Sequence, residues 1–204
     1  IGHALDEVYD YETLGVWQED QADAAAEYGK EPGDFRLRDV NGDGILSPVE
    51  DKVFQGYTKP RYRINVQNNL SYKNFSASAM ITSHLGHKTS HNVHQHSGYT
   101  YGRHNQLNHP YWTPENPTTR WARPQSDAGS PSFNYWENTS FVKLQNFSLS
   151  YRVPPSLTNR FSAGSLRVFV NARNVYSISP YDGDDPETHQ HTPRLYTVGV
   201  NLAF

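Results

Sequence analysis

Cysteine is absent from the 204 residues. No disulfide framework and no thiolate metal site is possible, and the redox compartment stays open. There is no run of about eighteen apolar residues, which excludes a transmembrane helix. It does not exclude a membrane, because barrel strands alternate and score poorly on hydropathy. Charge of one sign is not in excess: 18 Lys and Arg face 21 Asp and Glu, for a net charge of -3. With pI near 6.4, nothing provides the basic footprint of a nucleic-acid binder. Hydrophobic residues are only 35 % and mean hydropathy is -0.80, little for a chain that must bury one large soluble core. Catalytic signatures are missing too: there is no Gly-x-Ser-x-Gly, no His-Glu-x-x-His and no phosphate loop. No signal peptide opens the chain, and Ile1-Gly-His is not a natural start. The expectation is a fragment or a processed piece.

Aromatics, by contrast, are abundant, with 14 Tyr, 9 Phe and 4 Trp. Few aliphatics with many Tyr and Trp suit a barrel with aromatic girdles and long wet loops. The last residues, 194–204, alternate: Tyr196, Val198, Val200, Leu202 and Phe204 face one way, and Thr197, Gly199, Asn201 and Ala203 the other. A strand has period two, so one face is oily and the other is not. The same pattern recurs over 61–72, 74–86, 140–152 and 166–178, with a weaker trace near 5–16. In 140–152 the phase breaks, because Val142 and Leu144 sit opposite to Phe147, Leu149 and Tyr151; a bulge or an emergence from the membrane accounts for that.

Connection lengths alternate as well. Short turns near 73 and 153–165 contrast with long segments at 17–59, 87–139 and 179–193. Bacterial barrels keep short turns in the periplasm and long loops outside. The pattern predicts an all-β chain: antiparallel strands of a transmembrane β-barrel whose polar face lines a channel. Arg61, Arg63, Asn65, Gln67 and Asn69 then face the lumen, where Arg61 and Arg63 are candidates to meet a substrate. Five or six strands cannot close a barrel, which needs about eight or more.

The sharpest motif is Asp39-Val-Asn-Gly-Asp-Gly-Ile-Leu-Ser-Pro-Val-Glu50. It has the spacing of a twelve-residue calcium loop: oxygens at positions 1, 3 and 5, Gly at 6, a carbonyl at 7 and an acid at 12. Asp39, Asn41, Asp43, the Ile45 carbonyl and Glu50 are the predicted Ca2+ ligands. The alternative is an Asn/Gly/Asp turn without an ion. Pro48 opposes an ordinary exiting helix, so the ion would staple a loop rather than throw a switch.

Seven of the ten histidines fall between 84 and 109. His87, His91, His94 and His96 make a transition-metal alternative, although the Ser/Thr/Asn/Gly-rich context reads as a polar loop. Tyr99, Tyr101, Tyr135 and Trp136 are candidates for sugar or peptide capture, whereas Trp112 and Trp121 read as packing residues. The Asp182-Gly-Asp-Asp-Pro-Glu187 cluster reads as a turn or weak cation site more readily than as paired catalytic carboxylates.

Several segments resemble the C-terminal quarter of SusC/RagA-type TonB-dependent outer-membrane transporters. They are Tyr9-Asp-Tyr-Glu-Thr-Leu-Gly-Val-Trp-Gln18, Pro32-Gly-Asp-Phe35, Asp39-Val-Asn-Gly-Asp-Gly44, Ser71-Tyr-Lys-Asn-Phe75, Tyr111-Trp-Thr-Pro-Glu-Asn-Pro117 with Arg120-Trp121, Ser140-Phe-Val-Lys-Leu-Gln-Asn146, Leu166-Arg-Val-Phe-Val-Asn-Ala-Arg-Asn174 and the closing Tyr196–Phe204. They come in the family's order. The resemblance implies a 22-stranded barrel with an N-terminal plug, placed in the bacterial outer membrane against its lipid. It also implies energy from TonB and a SusD-like surface lipoprotein as lid. The expected function is import of an oligosaccharide or oligopeptide, without enzymatic activity. The rival expectation is a secreted, calcium-stapled β-sandwich that binds carbohydrate. The two differ in whether the apolar strand faces are buried against a second sheet.

Overall fold

A computed structural model describes residues 2–90, 110–124, 126, 131–181 and 183–204. It divides into two compact units, residues 59–87 with 138–204 and residues 1–58 with 88–137.

The first unit is a five-stranded antiparallel sheet. Its strands are Tyr62–Tyr72, Phe75–Leu85, Phe141–Arg152, Ser165–Ile178 and Leu195–Ala203. Numbered along the whole chain these are β5, β6, β9, β10 and β11, in the order β11-β10-β9-β6-β5. Each runs where the alternation predicts. Lys73 takes a left-handed φ of 51° in the two-residue turn that lets Tyr72 pair with Phe75. Between β9 and β10 the chain makes one helical turn, Pro155–Thr158, and Val153 N–H closes the corner on Leu166 O at 2.9 Å.

Pairing sorts the side chains into rows across all five strands. One apolar row is Leu70–Ala77–Leu149–Val170–Val198; the next is Tyr72–Phe75–Tyr151–Val168–Val200. Between them lies the row Ser71–Ser76–Ser150–Phe169–Gly199, and on the other side of the Leu70 row the polar row Asn69–Ser78–Ser148–Asn171–Thr197. The phase break in β9 is a bulge. Gln145 is the extra residue, skipped between the pairs Met80–Asn146 and Ile81–Leu144, and Thr82 Oγ1 donates to its Oε1 at 2.8 Å. Past it, Leu144 rejoins the apolar face. Opposite, β10 accommodates the bulge at Asn174, in the left-handed region at φ 52°.

The apolar face is bare. Leu70, Val198 and Val200 are 66 %, 72 % and 60 % exposed. A β-sandwich would have buried them against a second sheet, so the rival architecture does not describe this unit. Eleven residues in β5 rise about 3.4 Å each, and at a tilt of about 40° they cross a hydrocarbon layer of about 25–30 Å.

The second unit surrounds a small aromatic core. Its strands are β1 (Glu7–Tyr11), β2 (Thr13–Val16), β3 (Phe35–Leu37), β4 (Lys52–Tyr57) and β7 (Lys88–Ser90), with β8 (Trp136–Asn138) at the boundary and one short helix, Ala22–Glu27. The trace at 5–16 is therefore not a sixth wall strand. It breaks at Glu12 into β1 and β2, which pair with β4 and β3. Nor is 17–59 simply a loop. Tyr11, Val16, Phe35, Leu37, Trp112, Ala122 and Phe133 bury one core between the N-terminal segments and the chain after residue 110. Trp112 passes so near Gly33 (φ 92°) that a Cβ there would lie 2.5 Å from its ring.

Candidate functional site

The polar wall face, the loop at its edge and the calcium-type loop carry the chemistry. On the wall, register puts Arg63, Asn65, Gln67 and Asn69 on the face opposite to Ile64 and Val66, as the alternation predicts. Arg61 lies just before β5, its N–H on Leu85 O at 2.9 Å. Lys143, Asn146, Arg167, Phe169 and Arg173 share the polar face across β9 and β10.

Lys143 is 3 % exposed and holds the 179–193 segment. Its Nζ donates to Asp185 Oδ1 and Oδ2 at 2.9 and 2.8 Å, and to Glu187 Oε2 at 2.8 Å. Burial works to raise the Asp185 pKa, but the hydrogen bond from Lys143 and the Glu187 N–H outweigh it, so the carboxyl titrates below its ordinary range. Two acids of the 182–187 cluster are thus committed to one cation and do not face each other across a cleft. Asp182 lies outside the described residues. Beside the triad is a pocket of about 260 Å³ lined by Asn174, Tyr176, His191 and Arg194 among others.

The calcium-type loop closes on itself. Asp39 Oδ1 accepts from Gly42 N–H at 2.7 Å and Oδ2 from Gly44 N–H at 2.9 Å. Gly42 and Gly44 adopt φ of 74° and 80°, which is why glycine occupies both places. The N–H of Gly44, then that of Gly42, and the Tyr28 hydroxyl hold the Asp39 carboxyl below its ordinary pKa against a smaller effect of burial. Asp43 Oδ1 accepts from Ile45 N–H at 2.8 Å. Asn41 Nδ2 reaches Asp43 Oδ2 at 3.0 Å and Glu50 Oε2 at 3.4 Å, so position 12 folds back over positions 3 and 5. Hydrogen bonds link Asn41, Asp43 and Glu50 to one another, and Asp39 to the glycine N–H groups of the same loop. Among the described residues no cluster of three or more His, Asp or Glu by itself could hold a metal. A calcium shell here depends on the Asn41 amide and the Ile45 carbonyl as well.

Asp51 was missed in the sequence. It is fully buried and accepts from Val40 N–H at 2.8 Å and Ser47 N–H at 2.7 Å, pinning both shoulders of the loop. A second acid directly after position 12 is the only signal for it. Asp10 was missed as well. Buried at 3 % exposure, its Oδ2 accepts from Trp136 Nε1, Asn134 Nδ2 and Asn134 N–H, each at 3.0 Å. Burial raises its pKa, but the hydrogen bonds of Trp136 and Asn134 prevail and lower it. An acid set between two aromatics, Tyr9 and Tyr11, is the available hint.

Trp136 is therefore a partner of Asp10, and Tyr135 packs on Phe35 with ring centroids 5.7 Å apart. Both serve the core of their unit. Trp112 and Trp121 are buried, as packing residues should be. Tyr99, Tyr101, His91, His94 and His96 lie outside the described residues. His87 is 9 % exposed with Nδ1 unpartnered; burial first, then His84, His189 and Arg63, lower its pKa.

No family model matches the chain. Two curated relatives do. TonB-dependent receptor P3 of Formosa agariphila is 25 % identical over 227 residues, covering 100 % of this chain and 22 % of that protein. TonB-dependent receptor P26 of the same organism is 26 % identical over 217 residues, covering 94 % and 22 %. Among solved structures, the RagAB peptide transporter superposes with a TM-score of 0.67 at 24 % identity over 97 % of this chain and 23 % of that one. The RagAB peptide importer in its 'closed-closed' state gives 0.61 at 22 % identity, over 96 % and 23 %. The chain is similar in sequence to TonB-dependent receptors and shares the fold of the corresponding part of the RagAB transporter, in keeping with the SusC/RagA resemblance. It spans less than a quarter of the length of the relatives it matches. Those relatives are named as receptors and transporters rather than as enzymes, and the TonB-dependent receptor class resides in the outer membrane. In a receptor barrel the exposed apolar rows meet lipid and the polar rows meet the lumen.

Proposed function

We propose that this chain forms part of the wall and mouth of an outer-membrane importer that admits a nutrient oligomer, an oligosaccharide or oligopeptide. TonB energises it through a plug carried elsewhere in the receptor, and a SusD-like lipoprotein covers it. The observation that carries the reading is the exposed, largely apolar face of five strands, interrupted at Asn68 and Ser83, with a polar face opposite, in a sheet whose edge strands are β5 and β11 among the described residues. Its large side chains, Leu70, Val198 and Val200 among them, stand exposed. Lipid explains the apolar side and a channel explains the polar one. The edges of β5 and β11 would be paired by the rest of the barrel.

Within this reading the 39–50 loop is a calcium staple. Asp39, Asn41, Asp43, the Ile45 carbonyl and Glu50 would hold the ion, and Asp51 would hold the loop. A bound ion would meet the Asp43 and Glu50 carboxylates that the neutral Asn41 amide N–H now bridges. Its role would be structural order, not catalysis.

The test is to express the receptor from its native operon, purify outer membranes and measure intact mass and co-purification of the detergent-extracted protein. A barrel-sized species arriving with a lipoprotein supports the importer. A soluble particle of about 23.3 kDa that folds without detergent overturns it.

A further inference from the structure

The C-terminal end of β10 outruns its neighbour. β11 begins at Leu195, opposite Arg173, so residues 174–178 continue past it. The chain then folds back over 179–194 into β11. Between the projecting strand and this returning segment lies the cavity of about 260 Å³ beside the Lys143 triad. Asn174, Tyr176 and Ser177 line one side, and Asp184, His191 and Arg194 the other. Both sides belong to one hairpin of the wall unit. The rest of a barrel would join β11 at its other edge, so strands outside this chain are not the walls of the cavity. At the far end of the hairpin, Ala203 pairs with Ser165 beside the short 153–165 turn. The cavity therefore stands at the opposite end of the sheet, on the side of the long connections, which in an outer-membrane barrel is the outside.

The cavity is held in shape by its own chain. Lys143 fixes Asp185 and Glu187. His189 N–H returns to Asp185 O at 2.7 Å, and Thr192 Oγ1 meets Thr188 Oγ1 at 3.1 Å. Asn174 stands in the bulge of β10, which re-aims its side chain, and its Nδ2 donates to Pro193 O at 3.1 Å, tying the two sides together. A site ordered before its ligand arrives loses less entropy on binding.

The lining carries two cations, Lys143 and Arg194, and two carboxylates, Asp184 and Asp185. Lys143 and Asp185 already meet, so the charges balance and no ionic cargo is singled out. Tyr176 and Pro186 are the least polar side chains of the lining, which gives an apolar peptide side chain little to pack on. Asp184 Oδ1 lies 4.0 Å from His191 Nδ1, too far for a hydrogen bond, so a carboxylate and an imidazole stand side by side. Vicinal hydroxyls are each donor and acceptor at once, and such a mixture of carboxylate, amide, imidazole, hydroxyl and guanidinium matches them. Ligand cavities run from about 300 to about 1,000 Å³. This one is at the small end and seats one unit of a longer oligomer.

We infer that this cavity is a sugar subsite at the outer mouth of the importer. It takes one unit of an oligosaccharide by its hydroxyls, with Asp184 accepting, Arg194 donating, and Asn174 and His191 doing either. The inference rests on the importer reading and selects oligosaccharide over oligopeptide as the cargo. Lys143 is not part of this set, because its charge is already met; it positions the segment that carries Asp184 and His191.

The experiment uses the full-length receptor in detergent, screened on a printed array of hexasaccharides and a matching array of hexapeptides, with the leading members of each ranked by calorimetry. The expected result is a hexasaccharide binding at least about tenfold tighter than any hexapeptide. That sugar should slow hydrogen exchange over 174–178 and 183–194 of the native receptor. Asp184→Asn should weaken it about tenfold, and Asn174→Gly, which keeps the left-handed backbone and removes the amide, about fivefold. Each variant is first checked for the folded-barrel mobility shift on a gel. The exchange footprint needs no variant, so it decides even where a variant misfolds. A hexapeptide binding tighter than every sugar overturns the inference. So does a sugar footprint confined to other segments, or native affinity in both folded variants. Receptor-dependent uptake of peptides alone by whole cells would sink the sugar subsite and leave the importer standing. Uptake of sugars and peptides unchanged by deleting the receptor would sink the importer itself.

Discussion

Lys143 Nζ lies 2.8 Å from Asp185 Oδ2, joining β9 to a segment forty-two residues further along the chain. Lys143 is 3 % exposed and the Asp185 side chain 10 %, so water does little to screen the pair. Removing one partner of a buried pair leaves the other charge stranded, at a cost of about 3–5 kcal/mol. Lys143→Met should therefore loosen residues 179–193, while Lys143→Met with Asp185→Asn should lose less than the single change. Hydrogen exchange over 179–193 in the intact receptor reads this directly. Equal protection in native and Lys143→Met protein would show that the triad does not hold the segment.

The two faces of β9 should respond oppositely to charge. Leu149 lies in the apolar row of Leu70 and Val198, and Ser148 in the adjacent polar row. An arginine at a lipid-facing midplane position costs about 2–4 kcal/mol. Leu149→Arg should thus destabilise the receptor by up to that order, and Ser148→Arg by far less. Urea unfolding of the receptor in lipid vesicles measures both. A reversed order would mean that the faces have been assigned the wrong way round.

Calcium should stabilise the unit that carries the 39–50 loop. A ligand at a hundred times its Kd adds about 2.7 kcal/mol to the bound fold. Melting of the receptor should shift upward with calcium, downward with chelator, and not at all in Asp39→Asn with Glu50→Gln. An unchanged calcium response in that double variant would place the ion elsewhere.

Asp10 sets an acid limit on the same unit. Its folded pKa is depressed, so its contribution is present at neutral pH, above the unfolded value of about 3.9. That contribution is lost as pH falls through the lower folded value. Near-ultraviolet dichroism, followed against pH, should show the Trp136 environment collapsing only in that acid window. Asp10→Asn should weaken the unit at neutral pH and flatten the acid limb of the curve. A native-like curve in Asp10→Asn would assign the transition to another carboxyl.

The wall was legible because a strand repeats every two residues. Ile64 against Asn65, or Val198 against Thr197, announces its face without knowledge of any neighbour. The phase break at Val142 and Leu144 was visible for the same reason, and pairing with Met80 and Ile81 located the bulge at Gln145. The calcium-type loop was legible because its donors lie within twelve consecutive residues. The N-terminal segment was misread as wall because five residues of alternation do not say which sheet will claim them.

The sequence by itself determined what depends on near neighbours: strand positions, which face of each is apolar, the turn at Lys73 and the oxygen spacing of residues 39–50. Tertiary structure alone decided what depends on residues far apart. It turned Asp185 and Glu187 from a turn cluster into partners of Lys143. It made Asp10 the acceptor for Asn134 and Trp136, more than 120 residues away. It also set Arg167 opposite Arg152 across a shared ladder. The reason is physical. A strand's periodicity is written in its own backbone, whereas the partner of a buried charge is fixed only when the sheet register brings two distant segments together.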